Sequence, residues 1–120
     1  MKNTISQRVA DFLKGFPPFS SLRDTDLETL AYEVTIMHKA NNAVVFEEDE
    51  DPHEHFYMGH TVAVALEKKE TGAIVDICDE GDIFGLRPLM AQDKYRLDAK
   101  AHEESILYAI PFSKFKPLVL

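Results

Sequence analysis

A candidate ligand-binding segment runs from Asp79 to Leu97. Within it, the turn Glu80-Gly81-Asp82 is followed by a short apolar run and then by Gly85. Because glycine lacks a Cβ atom, Gly85 allows a ligand to approach the backbone closely, and a helix that starts directly after it leaves its first N–H groups without helical partners. Such N–H groups attract anions, and the guanidinium of Arg96 could pair with a phosphate through two hydrogen bonds. The segment therefore predicts a site for a phosphate-bearing or other anionic small ligand.

Three histidines, His53, His55 and His60, form a second group that could do chemistry. His53 and His55 are two residues apart, which places two imidazoles on one face of a strand, as in the cupin class of metal enzymes. A cupin site also needs a glutamate a few residues later and a distant histidine in a glycine-containing motif, but no glutamate closely follows His55 and the late His102 lies in the sequence AHEE. The chain also lacks a Gly-x-Ser-x-Gly motif and an activated cysteine. We therefore expect solvated loop histidines, no metal site and no enzymatic activity.

The elements that must position these residues are helices in the first third of the chain and strands in the rest. Ile5, Val9, Phe12 and Leu13 share one helical face, and a second helix is predicted around Leu27 and Leu30. From residue 34 onward, short runs rich in β-branched and aromatic residues predict strands; they are AVVFE, HFYM, VAVAL, AIVDIC, IFG, YRLDAKA and SILYAIP. We therefore expect one mainly β domain, with a helical segment over residues 1–33 and a β-roll or barrel over residues 34–120.

The composition limits the class of protein. The chain has 120 residues, of which 45% are hydrophobic and 28% are charged, as in a soluble domain with a single core. A net charge of -8 argues against direct binding to nucleic acid or to an anionic membrane. The one cysteine, Cys78, lies in an apolar run and is expected to be buried. The opening residues do not form a secretory signal, which favours a cytoplasmic location.

The C-terminal sequence PFSKFKPLVL is typical of the start of a helix, although Pro117 would break a helix that was already running. It ends in apolar residues without a polar tail. We expect the chain to be part of a longer protein in which further domains follow.

Several of these features occur together in one known family. They are the PPFSSL segment, the VVFEE strand, the pair Phe56-Tyr57, the spacing Gly81-Asp82-Ile83-Phe84-Gly85 and the closing LYAIP with Phe115 and Leu118. On these residues the chain resembles the cyclic-nucleotide-binding domain family of the catabolite activators and kinase regulatory subunits. The resemblance implies an eight-stranded double-stranded β-helix, a jelly-roll-like β-roll, flanked by N-terminal helices and a C-terminal helix.

The resemblance also implies a particular ligand site. In the family a glutamate directly after Phe-Gly accepts a hydrogen bond from the ribose 2′-hydroxyl, and a later arginine pairs with the cyclic phosphate. Here Leu86 stands at the glutamate position, and either Tyr95, by counting back from Lys100-Ala101, or Arg96, by residue type, stands at the arginine position. The implied ligand-contacting residues are Phe84, Gly85, Leu86, Arg87, Pro88, Leu89, Tyr95, Arg96 and Leu97. A cAMP-like cyclic nucleotide is the ligand that the family suggests, but the missing glutamate predicts weak binding of cAMP itself.

The function expected from the resemblance is that of a regulatory domain that senses a nucleotide-like or other anionic small ligand and relays its occupancy to attached domains. The DEGDIFG segment with LYAIP is most similar to N-terminal modules of bacterial signalling proteins that carry CBS domains and a nucleotidyltransferase-like region, so such domains are the expected downstream partners. The alternative is a ligand-free structural or dimerisation module whose pocket is filled by Leu86, Tyr95 and Leu97, which leaves a homodimer open.

Overall fold

The structure is a computed structural model and describes residues 4–119. Four helices are present in this part of the chain: α1 (Thr4–Lys14), α2 (Asp24–Glu33), α3 (Leu86–Ala91) and α4 (Phe112–Val119). The strands are β1 (Thr35–Lys39), β2 (Val44–Phe46), β3 (His55–Thr61), β4 (Val64–Glu67), β5 (Ile74–Cys78), β6 (Ile83–Phe84), β7 (Asp98–Ala101) and β8 (Ser105–Pro111). A single 3-10 turn, Phe19–Ser21, connects α1 to α2.

The strands form two four-stranded antiparallel sheets. Sheet A has the order β1-β8-β3-β6, and sheet B has the order β2-β7-β4-β5. Neighbouring strands are often distant in sequence, as in β3 and β8, where Phe56 pairs with Ile110. The mainly β jelly-roll arrangement expected for the family is confirmed, including its eight strands.

Sheet A is the middle layer, and its central strands β3 and β8 are buried on both faces. Along β8, Tyr108 and Ile110 pack in one hydrophobic cluster with the helices, whereas Leu107 and Ala109 pack in a second cluster with sheet B. Side chains of a strand point alternately to its two faces, so an almost continuous apolar run suits a strand covered on both sides. We name these the helix-side core and the inter-sheet core.

The helix-side core attaches the terminal helices to sheet A. Val9 and Leu13 of α1 are buried there, and Phe115 of α4 packs edge-on against Phe56 with ring centroids 4.8 Å apart. The expectation that Pro117 would break a running helix is wrong, because α4 includes it. Proline lacks an N–H donor, so the helix gives up one bond, to the carbonyl of Ser113. Among residues 4–119, no helix is long and apolar enough to cross a membrane.

Two turn residues that are not glycine have positive φ angles. Asn42 and Asp49 have φ of 71° and 72°, in the left-handed region that Asn and Asp tolerate better than most residues do. The expectation for Cys78 is also confirmed: it is 4% exposed in the inter-sheet core, and burial raises the pKa of its thiol to about 12.

Two strands differ from the runs named in the sequence. β1 forms over residues 35–39, which no named run covers, and it pairs with β8. The predicted strand YRLDAKA forms only from Asp98 onward, so Tyr95, Arg96 and Leu97 precede β7 instead of lying in it.

Candidate ligand-binding site

An open cavity of about 790 Å³ lies between the end of sheet A, helix α3 and one side of sheet B. Its lining comprises Phe46, Leu66, Asp76, Ile83, Phe84, Gly85, Leu86, Arg87, Pro88, Ala91, Asp93, Lys94, Tyr95, Arg96 and Leu97. Of the residues predicted to contact a ligand, only Leu89 lies outside this lining. The structure therefore brings the segment identified from sequence around one cavity.

Gly85 turns the chain from β6 into α3. Its φ is 77°, and a Cβ atom there would lie 3.1 Å from the ring of Phe46. Both the left-handed backbone and the close approach of that ring favour glycine over any other residue. No side chain caps the start of α3. The helix lasts from Leu86 to Ala91 and ends at Gln92, whose φ is 54°.

Helix α3 has one face on the cavity and another on the helix-side core. Arg87 and Pro88 line the cavity, whereas Leu89 packs against the helix-side core together with Leu86, which borders both. Leu89 is therefore a packing residue of α3. Its helical position, three residues after Leu86, explains why it shares the core-facing side.

Tyr95 is directed into the protein. It is 1% exposed, and its ring stacks on Phe46 with centroids 3.8 Å apart and an angle of 5° between the planes. The backbone N–H of His53 donates a 2.9 Å hydrogen bond to the Tyr95 hydroxyl oxygen. Two further backbone bonds, from Asp49 to Tyr95 and from Tyr95 to Glu50, fix its main chain.

Arg96 is directed outward at the rim of the cavity. Its side chain is 84% exposed, and its Nη2 atom lies 3.2 Å from Oδ2 of Asp93. The expectation that Arg96 lies in a pocket-facing strand is wrong, because the strand begins two residues later and Tyr95 takes the inward position. Of the two candidates for the family's arginine position, Tyr95 thus has the inward geometry and Arg96 has the charge.

A polar network lies behind the aromatic residues. The two ring nitrogens of His53 contact the Tyr57 hydroxyl at 2.6 Å and the Glu50 carboxylate at 2.8 Å. Burial raises the pKa of Tyr57, and the bond from the backbone of Glu47 together with His53 lowers the pKa of Glu50. His53 therefore joins the acidic loop to the inter-sheet core as a structural residue.

The histidines do not share one site. His53 contacts Tyr57 and Tyr95, whereas the ring of His60 lies 4.6 Å from that of Phe12 in the helix layer. Between residues 4 and 119, no group of three or more His, Cys, Asp or Glu side chains is arranged to hold a metal ion.

The sequence left several lining residues unidentified, among them Phe46, Leu66 and Asp76. All three lie in strands of sheet B, Phe46 in β2, Leu66 in β4 and Asp76 in β5, and not in the segment that the sequence identified. Asp76 could have been noticed in the sequence, because it is a charged residue within the apolar run IVDIC. In the structure it pairs with Leu66.

Comparison with known proteins agrees with the fold. The family model described as "Cyclic nucleotide-binding domain" matches residues 37–120. None of the curated protein sequences gives a significant match to the chain.

Solved structures share the fold at low sequence identity. The regulatory domain of Toxoplasma gondii protein kinase A with cAMP is 18% identical with a TM-score of 0.84, and the match covers 95% of this chain and 44% of that chain. The regulatory subunit of a cAMP-independent protein kinase A from Trypanosoma cruzi, bound to guanosine, is 16% identical with a TM-score of 0.83 and coverage of 95% and 42%. The sensor domain of the transcriptional regulator DNR from Pseudomonas aeruginosa is 20% identical with a TM-score of 0.79 and coverage of 92% and 79%. The chain thus spans less than half the length of the two kinase subunits.

Proposed function

This chain belongs to the cyclic nucleotide-binding domain family, and we propose that it is a cytoplasmic sensor that binds a nucleotide-like or other anionic small ligand in the cavity beside α3. The family and its structural neighbours are regulatory domains and not enzymes. The observation that carries the proposal is the open cavity of about 790 Å³ between residues 85–97 and sheet B.

The size and lining of the cavity suit a ligand with a ring system. Sites for small molecules usually have volumes of about 300–1,000 Å³ and are mostly apolar with a few polar groups. The rings of Phe46, Phe84 and Tyr95 are buried behind the lining, and the accessible apolar part of the lining comes from half-buried residues such as Leu66, Leu86 and Leu97. The charged groups lie in α3, in the segment that follows it and on β5. A heterocycle could therefore pack on the half-buried apolar side chains while a charged substituent meets the polar groups.

The two altered positions argue against ordinary cAMP as a tight ligand. Leu86 cannot accept a hydrogen bond from a ribose hydroxyl, which costs about 1–3 kcal/mol, or one to two decades of affinity. The inward Tyr95 carries no positive charge for a phosphate. An anionic group would have to be met by Arg87 or by Arg96 at the rim, the latter by exchange of its ion pair with Asp93.

A route for relaying occupancy runs through α3. Leu86 and Leu89 pack against the helix-side core, which also contains Phe115 of α4. A ligand that displaces α3 would therefore change the packing on which α4 rests, by an amount limited to its differential affinity for the two arrangements. We propose that α4 passes this change to attached domains, with CBS or nucleotidyltransferase-like domains as the expected class.

The decisive experiment is calorimetric titration with cAMP, cGMP, AMP, GMP and guanosine. We expect at least one of them to bind with about micromolar affinity and cAMP not to be the tightest ligand. Arg87→Ala and Arg96→Ala should each weaken binding of the phosphate-bearing ligand about tenfold, because each variant loses one charge-assisted hydrogen bond. Arg23→Ala is a matched control, because Arg23 is 83% exposed and, like Arg96, pairs with an acid three residues away. Absence of heat with every ligand, in a protein that folds normally, would refute the sensor.

A second candidate is a ligand-free structural module. The observation in its favour is that Tyr95 is almost fully buried in its stack on Phe46, as a filled pocket requires. The edge strand β5 also exposes Ile74, Val75 and Ile77, each more than half accessible to solvent. Sedimentation of the ligand-free protein tests it: a stable dimer together with silent titrations would favour this second function.

A further inference from the structure

The cavity contains two charged groups that no residue of the described chain neutralises. Five charged residues line it: Asp76, Arg87, Asp93, Lys94 and Arg96. Arg96 pairs with Asp93 at 3.2 Å, and Lys94 lies 3.8 Å from Asp51 outside the lining. Within residues 4–119, neither Asp76 nor Arg87 has an oppositely charged partner. A complementary ligand would bring hydrogen-bond donors to Asp76 and an anion to Arg87.

Asp76 is fixed on sheet B, whereas Arg87 is on α3, so the two groups belong to different sides of the cavity. Asp76 pairs with Leu66 across the β4–β5 register, and both residues line the cavity. The N–H of Ile77 donates a 2.9 Å hydrogen bond to Oδ1 of Asp76. Oδ2 and the remaining lone pair of Oδ1 are left to accept further donors.

The chemistry of an ionised carboxylate decides which ring it prefers. A carboxylate only accepts hydrogen bonds, and it binds best to two neighbouring donors. Guanine presents N1–H beside its 2-amino group, which gives two parallel donors, whereas adenine presents the acceptor N1 beside its 6-amino group. An adenine placed in the same way would bring the lone pair of its N1 atom against the carboxylate, which is unfavourable because neither group has a proton to donate.

We propose that the cavity selects a guanine-bearing nucleotide, with the Asp76 carboxylate accepting from the guanine N1–H and 2-amino group and the Arg87 guanidinium binding the phosphate. The half-buried side chains of Leu66, Leu86 and Leu97 in the same lining provide apolar surface for the ring. This inference rests on the proposed function, because it names the ligand class of the same cavity.

Titration of the protein with GMP, AMP, guanosine and inorganic phosphate tests the inference. We expect GMP to bind at least about tenfold more tightly than AMP, since a bidentate contact contributes more than one ordinary hydrogen bond. Guanosine should bind more weakly than GMP, because it lacks the phosphate that Arg87 would bind. Inorganic phosphate alone should also bind weakly, because it lacks the ring. Asp76→Asn should abolish or reverse the preference, because an amide offers one donor and one acceptor, which match adenine.

Asp93→Asn is the matched control. Asp93 lines the same cavity and carries the same charge, but it is engaged with Arg96, so this variant should keep the preference for GMP. Circular dichroism of both variants checks folding, which we expect to be intact because both carboxylates are on exposed residues.

The outcomes separate the two proposals. Equal affinities for GMP and AMP, or a preference unaffected by Asp76→Asn, would overturn the role of Asp76 and leave the sensor function standing. A failure of every nucleotide to bind the wild-type protein would overturn both.

Discussion

Tyr95 and Arg96 show how neighbouring residues of one loop acquire different roles. Tyr95 stacks on Phe46 and accepts a hydrogen bond from the backbone of His53, whereas the side chain of Arg96 is 84% exposed. Large buried aromatic rings contribute strongly to stability, and exposed ion pairs contribute little. At the residue scale, Tyr95 is thus part of the core that shapes the cavity, and Arg96 is available to a ligand.

Truncation of Tyr95 should destabilise the fold, whereas truncation of Arg96 should not. Tyr95→Ala is expected to lower the free energy of unfolding by about 3–5 kcal/mol because it removes a buried ring, and Tyr95→Phe by about 1 kcal/mol because it removes the acceptor for the His53 N–H. Arg96→Ala should leave the urea midpoint unchanged. Urea unfolding of the three variants measures this, and a large loss of stability in Arg96→Ala would contradict the assignment.

The turn between β5 and β6 contacts the segment that follows α1. Gly81 donates a 2.9 Å backbone hydrogen bond to Gly59 of β3, and its φ is 85°. A Cβ atom at Gly81 would overlap the ring of Phe16, which follows α1. The turn that leads into the cavity segment therefore also forms part of the contact with the helix layer.

Alanine at Gly81 should disturb this contact. A positive φ costs a non-glycine residue about 1–2 kcal/mol, and the overlap with Phe16 should add about 1–3 kcal/mol. Gly72→Ala is the control for the backbone term alone, because Gly72 has a φ of 70° but nothing within 4 Å of its added Cβ atom. Urea unfolding should therefore show Gly81→Ala to be the less stable variant; equal losses would mean that Phe16 moves aside without cost.

The whole molecule is a three-layer arrangement in which sheet A separates two cores. Phe115 is 3% exposed in the helix-side core, and Phe46 is 4% exposed in the inter-sheet core. The ligand cavity borders the inter-sheet core, whereas α4 rests on the helix-side core. Coupling between them must therefore pass through sheet A or α3.

Truncation in each core should open different parts of the molecule. Phe115→Ala and Phe46→Ala are each expected to cost about 3–5 kcal/mol. Hydrogen exchange should show lost amide protection mainly in α1, α2 and α4 for Phe115→Ala, and mainly in β2, β4 and β7 for Phe46→Ala. If both variants lose protection over the same amides, the two cores unfold as one unit and the layered relay is wrong.

Much of the fold could be predicted because its signals are local. Apolar periodicity of about 3.6 residues marked α1 and α2, and β-branched runs marked most of the strands. The spacing from Gly81 to Gly85 identified the segment that lines the cavity, since a tight turn and a close backbone approach demand glycine wherever they occur. These features depend on residues a few positions apart and are written in the sequence itself.

Other features depend on residues brought together from distant parts of the chain. The inward position of Tyr95 is decided by its partners Phe46 and His53. The place of Asp76 beside Leu66 in the cavity lining is decided by the pairing of β5 with β4. A shift of one residue reverses the direction of a side chain, and only the tertiary packing selects the register. The sequence by itself therefore determined the family, the elements and the candidate segment, whereas the tertiary structure decided which side chains of that segment face the cavity and which strand forms its opposite side.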